Sequence, residues 1–509
     1  MESTSHCRIL LQPTHTELTA SRGQLLRDLL FEQGVEFPCG GRGRCRGCRV
    51  RVRSGDAPVN AIQREILSEE EIEQGWRLAC QCVPESDLEI ELRQWDSAIL
   101  VDDSKFSFEP RDGLGVAVDL GTTTIVAQLL DLRTGNVRAV RTALNAQARY
   151  GADVMSRIHF AVLDRGQGEL QRMVREQIGG LIQQLLAASQ EKRGVVDVVI
   201  VGNTVMHDLF CGIDVEPLSH YPFDSPHLGL QRFGAAELGW KLEGNPTAYF
   251  LPCLGSFVGS DILAGILATR LHERDRISGF VDLGTNGEIV IGNRERMLCT
   301  STAAGPAFEG ARISMGMRAA SGAISEVRVD KGELCCHVLG DIAPQGICGS
   351  GLVDAVAAGL EIDVIGSTGR FANGAKSWIL RAPVSLNQND VRELQLAKAA
   401  IAAGIKLLSR EAGTGELDCL YLAGAFGNYI NRASAQRIGL VNFPPEKVKP
   451  VGNTALLGAK IALFDLPRQR GEYVDIRNRV QHVSLNLDTN FQEEFIAEMV
   501  FPGKRTVQT

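Results

Sequence analysis

Three cysteines crowded into ten residues, CGGRGRCRGC, constrain the amino end of this 509-residue chain more than any other feature. Cys39, Cys45 and Cys48 have five and two residues between them, and thirty-one more separate Cys48 from Cys80 in RLACQC. Four thiolates supplied by one loop and one distant segment are what a cluster of two irons and two sulfides requires. Gly40, Gly41, Gly43 and Gly47 remove side chains where backbone must approach the cluster, and their N–H groups can point at its sulfurs. Structural zinc sites usually pair two C-x2-C units, and only one such unit occurs here. Cys82 competes with Cys80 as the fourth ligand. Arg42, Arg44, Arg46, Arg49, Arg51 and Arg53 make this region basic, either as a solvated face or as charge that steadies a reduced cluster or docks an acidic partner.

At this length two to four domains are expected. The composition, 44% hydrophobic and 22% charged, is that of a globular protein. A net charge of −8 argues against general nucleic-acid binding. No run approaches eighteen apolar residues, and MESTSHCRIL lacks the layout of a signal peptide, so a cytoplasmic protein without membrane contact is expected. The nine other cysteines, including adjacent Cys335 and Cys336, read as small buried residues of a reducing compartment.

Residues 1–95 read as short strands and one helix. SRGQLLRDLLFEQGV places Leu25, Leu26, Leu29 and Leu30 on one helical side, with Ser21 as its expected cap and Gly34 as its stop. CRVRVRSG and DLEIELRQW alternate as strands do. Residues 96–113 show no period and read as a linker. From residue 114 the chain echoes itself: GVAVDLGTTTIVAQLLDLRTGNVRAV and GFVDLGTNGEIVIGNRERMLCTS each give a strand ending in Asp-Leu-Gly-Thr, a polar turn, and two more strands. Segments such as RMVREQIGGLIQQLLAASQ and ELQLAKAAIAAGIKLLSRE supply helices between strands. Two α/β lobes follow, 114–275 and 276–509, the second with a C-terminal tail.

Each Asp-Leu-Gly-Thr turn can hold phosphate oxygens. Gly121, Thr122, Thr123 and Thr124 offer N–H and hydroxyl groups in the first copy; Gly284, Thr285, Asn286 and Gly287 do so in the second. Asp119 and Asp282, at the strand ends, can hold Mg²⁺ through oxygen ligands. There is no Walker motif, the nearest string being Gly503-Lys504-Arg505, and no G-x-G-x-x-G.

These motifs resemble those of the superfamily shared by actin, Hsp70, hexokinase and acetate kinase, the ASKHA (RNase H-like) fold. DLGTTT and DLGTNG are like its two phosphate motifs. VVIVGNTVMHDLF with Gly202, and VGNTALLGA with Gly452 and Gly458, resemble its connecting motifs. YLAGAFGNYI, with Gly424, Ala425, Phe426 and Gly427, is similar to its adenosine motif. The five occur in the family's order, which implies ATP binding. RLACQ in turn resembles the segment carrying the last ligand of β-grasp (α+β) 2Fe–2S ferredoxins, which implies Cys80 over Cys82, and the five-residue first gap is like that of adrenodoxin-type proteins.

With ALNAQARYGADVMSRI, FVGSDILAG, STAAGPAFEGARISMGM and GICGSGLVDAV, the whole chain resembles the ATP-dependent reductive activators of corrinoid proteins. Some of these carry a further domain between ferredoxin and ATPase, where this chain has only a short linker. The resemblance implies an electron passed from a low-potential donor through the cluster to a corrinoid protein, returning inactive Co(II) to Co(I), and a homodimer. The chain has no D-x-H-x-x-G, a string of many corrinoid-binding domains, so the corrinoid is expected on a partner. Rival readings are an ATP-driven donor to another enzyme, such as a 2-hydroxyacyl-CoA dehydratase, a redox-sensing small-molecule kinase, and a chaperone-like binding module. Among single residues, Asp261 reads as a helix cap or as a group orienting water at the γ-phosphate, and His207 as a packed histidine. Gly349 and Gly351 read as tight turns or as nucleotide or partner contacts, and Met315 and Met317 as core.

Overall fold

The computed structural model describes residues 6–12, 16–21, 23–31, 35, 43, 48–92, 108–151, 153–189, 191–310, 312–319, 322–465, 471–485 and 489–503. The amino-terminal domain is a five-stranded mixed sheet. Its strands are β1 (His6–Gln12), β2 (Thr16–Ser21), β3 (Arg49–Ser54), β4 (Trp76–Leu78) and β5 (Leu88–Leu92), in the order β2-β1-β5-β3-β4. Alternation buries one face: Leu88, Ile90 and Leu92 of β5 are inside while Glu89 and Glu91 are half-exposed. The helix Leu26–Phe31 presses Leu26 and Leu30 into this core. This is the β-grasp ferredoxin architecture.

Two expectations for this domain are corrected. Ser21 does not cap the helix; it ends β2, five residues before the helix begins, and its backbone N–H donates to Gln24 Oε1 at 3.0 Å. Gly34 lies outside the described residues. The domain also has more than one helix: Ala61–Ile66 is capped by Asn60, and Glu69–Glu73 carries a Ser68/Glu71 capping box. Helices of six and five residues are too short to show a 3.6-residue period; only their caps announced them.

The body behind it contains two six-stranded sheets of the same plan. The first comprises β6 (Leu114–Leu120), β7 (Thr124–Asp131), β8 (Val137–Leu144), β9 (Val195–Val201), β10 (Gln231–Gly234) and β11 (Thr247–Phe250), ordered β10-β11-β9-β6-β7-β8. The second begins with β12 (Ser278–Leu283), β13 (Gly287–Gly292) and β14 (Met297–Thr302). A three-stranded sheet, β15 (Ala323–Asp330), β16 (Glu333–Val338) and β17 (Gly346–Ile347), and a hairpin, β18 (Ser377–Arg381) and β19 (Val384–Asn387), are inserted before it is completed. It then adds β20 (Leu420–Ala423), β21 (Val448–Gly452) and β22 (Val480–His482), in the order β21-β20-β12-β13-β14-β22. In both, an antiparallel three-strand meander continues into parallel strands: β6 with β9 and β9 with β11, β12 with β20 and β20 with β21. The turns match as well, Gly121 N–H donating to Thr124 O and Gly284 N–H to Asn286 O, each at 3.0 Å. This is a duplicated α/β fold of ASKHA type.

Residues 93–107 of the expected linker region lie outside the described residues. From Phe108 the chain is already seated on helix Thr454–Asp465, its ring 4.4 Å from that of Phe464 and the Arg111 guanidinium donating to Leu463 O at 2.8 Å. At the carboxyl end the helix Thr489–Glu498 lies against Gln388–Glu411, and Phe501 is buried. Among the described residues no helix is long and apolar enough to cross a membrane.

The lobes meet where helix Ser260–Thr269 crosses helix Thr454–Asp465. At the crossing, a Cβ on Gly458 would stand 2.1 Å from the Ala264 carbonyl oxygen, so only glycine permits this approach. Gly458→Ala must push the helices apart and is expected to cost about 1–3 kcal/mol, read as a lowered midpoint in thermal denaturation.

Candidate functional site

A cavity of about 460 Å³ opens between the two sheets, lined by both Asp-Leu-Gly-Thr turns. Because β6 and β12 each end at the cleft, their last polar residues and turns face one another across it. Asp119 and Gly121 to Thr124 line one side; Asp282, Gly284, Thr285 and Asn286 line the other, and Gly424 joins them. Gly287 and Gly427 are not part of the lining. A Cβ on Gly287 would lie 2.7 Å from Ile401, and one on Gly427 would lie 3.2 Å from the Leu422 backbone, so both glycines serve packing.

Two asparagines hold the first Asp-Leu-Gly-Thr copy in place. Asn203 Oδ1 accepts from Met206 N–H, capping helix Thr204–Cys211, while its Nδ2 donates to Thr122 Oγ1 at 2.9 Å. Asn453, from the second lobe, has the same double role: Oδ1 accepts from Leu456 N–H, and Nδ2 donates to Asp119 Oδ2 of the same copy at 2.9 Å. The sequence reading missed both, although the string V-G-N-T occurs twice, at 201–204 and 451–454.

A second omission is the brace behind the first turn. Arg157 is fully buried and donates to Thr122 O at 2.5 Å, Gly151 O at 3.0 Å and Gln147 Oε1 at 3.1 Å. Asn145 donates to the carbonyls of Gly121 and Thr123, through its side chain and its backbone N–H respectively, both at 2.9 Å. Burial lowers the Arg157 guanidinium to about 10, a cost its three acceptors offset. ALNAQARYGADVMSRI therefore serves as the frame of the phosphate turn.

Glu309, from STAAGPAFEG, is the third. Its carboxylate accepts from Thr285 Oγ1 at 2.5 Å and from Thr123 Oγ1 at 3.4 Å. One side chain thus touches both turns across the cleft.

Electrostatically the floor of the cavity is crowded with carboxylates. Burial raises Asp119 to about 6, against the Asn453 hydrogen bond, and raises Asp282 to about 7, with the Asp119 charge adding to it. Asp261 and Glu288 are raised by burial and by repulsion from Asp282. A divalent cation fits such a set of hard oxygen donors. Asp261 stands in the first turn of its helix, whose cap is Gly259.

Other expectations find their places. His207 is buried, edge-on to Phe250 with ring centroids 5.0 Å apart. A Cβ on Gly349 would lie 1.8 Å from Phe308 O, and one on Gly351 would lie 2.1 Å from Ile324 O; of the two, only Gly349 lines the cavity. Met317 lines the cavity, whereas Met315 packs beside Ser385. Cys335 and Cys336 are free in β16.

In the ferredoxin domain Cys39 and Cys45 lie outside the described residues, as do Arg42, Arg44 and Arg46. Cys48 and Cys80 are buried with their sulfurs 3.3 Å apart, and Gln81 Nε2 donates toward Cys80 Sγ at 3.9 Å. Cys82 is buried too, and burial pushes its thiol up to about 12 despite the nearby Arg77. Two apposed thiols, Cys48 and Cys80, with an amide donor beside them fit an iron–sulfur centre. The basic strand is structural in part: Arg49 pairs with Glu71 at 2.9 Å and lies over Trp76, and Arg53 pairs with Glu91.

An iron–sulfur domain joined to a two-lobed, nucleotide-binding ASKHA body defines the class. Residues 9–85 match the 2Fe-2S iron-sulfur cluster binding domain, 114–274 the RACo middle region, and 276–509 the C-terminal, ASKHA domain of RACo. The chain belongs to the RACo family. It is 35% identical over 426 residues, 76% of this chain and 70% of the relative, to the corrinoid activation enzyme RamQ of Eubacterium limosum. It is 27% identical to the [Co(II) methylated amine-specific corrinoid protein] reductase of Methanosarcina barkeri, over 76% of this chain and 77% of that one. A solved structure titled reductive activator for corrinoid,iron-sulfur protein aligns over 98% of both chains at 29% identity and a TM-score of 0.71.

Arg157→Met leaves three buried acceptors without a donor. It is expected to destabilise the first lobe by about 3 kcal/mol or more and to weaken ATP binding at least tenfold, checked by denaturant titration and calorimetry. The raised carboxyls give a pH signature. Between pH 4 and 8 the folded state holds more protons than the unfolded chain, so stability falls as pH rises through that window. Thermal midpoints of metal-free protein should drop from pH 5.5 to 8, and Mg²⁺ with an ATP analogue should flatten the drop.

Proposed function

We propose that this protein is an ATP-dependent reductive activator of a corrinoid protein, returning Co(II) to Co(I) by one electron so that a methyltransferase system can resume. The observation that carries this reading is the union in one chain of the Cys48–Cys80 thiol pair and a cleft faced by two phosphate turns. The names of the relatives add the target: corrinoid activation in one, reduction of a Co(II) corrinoid protein in another. When bound, a 2Fe–2S cluster supplies a one-electron carrier.

The chain's own residues have distinct tasks in this reading. Cys39, Cys45, Cys48 and Cys80 hold the cluster. Thr122, Thr123, Thr285 and Asn286 hold phosphate oxygens, Asn203 fixing the first of them and Arg157 the backbone beneath. Asp119 and Asp282 hold Mg²⁺, whose charge relieves their mutual repulsion. Glu309, already within reach of both turns, orients the attacking water. ATP shifts the lobes toward a closed state because it contacts both turns only there. A low-potential donor, a cytoplasmic setting and a homodimer belong to the same reading. The free thiols among the described cysteines suit a reducing compartment.

The test is anaerobic: protein, low-potential reductant, Mg-ATP and a corrinoid protein are mixed and the cobalt spectrum followed. Co(I) should appear only with ATP. Cys48→Ser should abolish it, and Glu309→Gln should slow ATP hydrolysis about 10²-fold or more. Equal Co(I) formation without ATP would sink the coupling, and full activity in Cys48→Ser would point to a kinase or chaperone-like role.

A further inference from the structure

Among the described residues, two polar contacts join the ferredoxin domain to the second lobe, and one of them is at the wall of the cavity. Tyr429, the last residue of helix Gly424–Tyr429, lines the cavity and donates its hydroxyl to the Val35 carbonyl at 3.4 Å. Val35 is buried in the ferredoxin core four residues before Cys39. Farther out, Arg27 donates to His337 Nε2, and Asp28 Oδ1 lies 3.2 Å from Arg27 Nε and 3.7 Å from the same histidine nitrogen. Arg27 and Asp28 sit on helix Leu26–Phe31, whose first N–H donates to the Cys82 carbonyl at 2.9 Å. Both contacts are therefore continuous with the segments that carry the cluster ligands.

The other end of helix Gly424–Tyr429 meets the carboxylates. Gly424 has φ +81°, and a Cβ there would lie 2.5 Å from Asp282 Oδ1. Mid-helix, Phe426 stacks on Phe308, next to Glu309, with ring centroids 4.5 Å apart. Six residues of helix span about 9 Å, so one short rigid element touches the metal-site carboxylate at its start and the ferredoxin domain at its finish. A shift at Gly424 moves Tyr429 with it.

We propose that helix Gly424–Tyr429 is the coupling element of the protein: it seats the ferredoxin domain through Tyr429 and Val35, with His337 as the second hold, and reports nucleotide occupancy to that seat. The inference rests on the reading that the cavity takes ATP. It assigns Tyr429 and His337 as positioning residues, since neither reaches the reacting atoms. Among the described residues, the seat consists of these two polar contacts. Coupling of this kind is reciprocal: whatever loosens the seat must alter nucleotide affinity by the same factor.

The experiment uses full-length, cluster-loaded protein and a non-hydrolysable ATP analogue, with affinities from calorimetry. His337 does not line the cavity, yet His337→Gln should change the dissociation constant at least threefold, and Asp28→Asn should change it in the same direction. In a Tyr429→Phe background both effects should fall below 1.5-fold, the non-additivity of a shared route. Visible absorption of the cluster and the thermal midpoint confirm that each variant is folded. Unchanged affinity in His337→Gln and Asp28→Asn, or equal changes in both backgrounds, overturns the proposal. If the wild type binds no analogue, the proposal and the ATP reading fall together. If the couplings appear but ATP yields no Co(I), the functional reading falls and the coupling element stands.

Discussion

Two carboxylates facing each other across a buried cleft are the condition on which the rest of the body depends. Asp119 and Asp282 close equivalent strands of a duplicated sheet, and the duplication brings them within each other's field. Without a cation the arrangement is electrostatically costly, and burial makes it more so. The cleft therefore has a reason to differ between its loaded and unloaded states, which is the requirement for a ligand to move a conformational equilibrium. Between the lobes, the crossed helices meet in close contact at Gly458 and Ala264.

Coupling has a size to meet. Raising one electron by about 59 mV costs about 1.4 kcal/mol, so a gap of a few hundred millivolts needs several kcal/mol from nucleotide. The cleft concentrates its nucleotide-dependent contacts for that purpose. The first phosphate turn and the strand end before it are held from behind by Arg157, Asn145, Asn203 and Asn453, so they act as a fixed wall. Glu309, bonded to a threonine on each wall, is the one described side chain hydrogen-bonded to both turns.

What the sequence disclosed and what it hid divide along physical lines. The two Asp-Leu-Gly-Thr turns were legible because a turn that approaches phosphate demands glycine and hydroxyl residues at set places. Duplication then let one copy vouch for the other. The 2Fe-2S domain was legible from the cysteine spacing for a like reason, since metal ligation dictates spacing. Arg157 and Glu309 were not, because the turn residues they bond are distant in sequence, Thr122 by 35 positions from Arg157 and Thr285 and Thr123 by 24 and 186 from Glu309, and nothing local marks them. The asparagines of the repeated V-G-N-T string were visible in principle, and it was their double role, capping a helix while reaching a turn, that only coordinates could reveal. Ser21 was misread because Ser is also at home at the end of a strand, and the helix start lay five residues on.

A ferredoxin domain that delivers its electron to another protein cannot be locked to its own ATPase. The contacts seen satisfy this. The Tyr429–Val35 bond is long, at 3.4 Å, and the His337 cluster sits at the rim with a quarter of the histidine side chain exposed; neither is of the kind that survives only by rigid burial. Asp28 nonetheless has a real hold. Burial would raise its carboxyl, yet His337 and Arg27 outweigh that and keep it below its ordinary value. The seat is thus strong enough to set where the cluster waits and weak enough to be released by a shift of one short helix. A stronger interface would have made the same helix a wall instead of a switch.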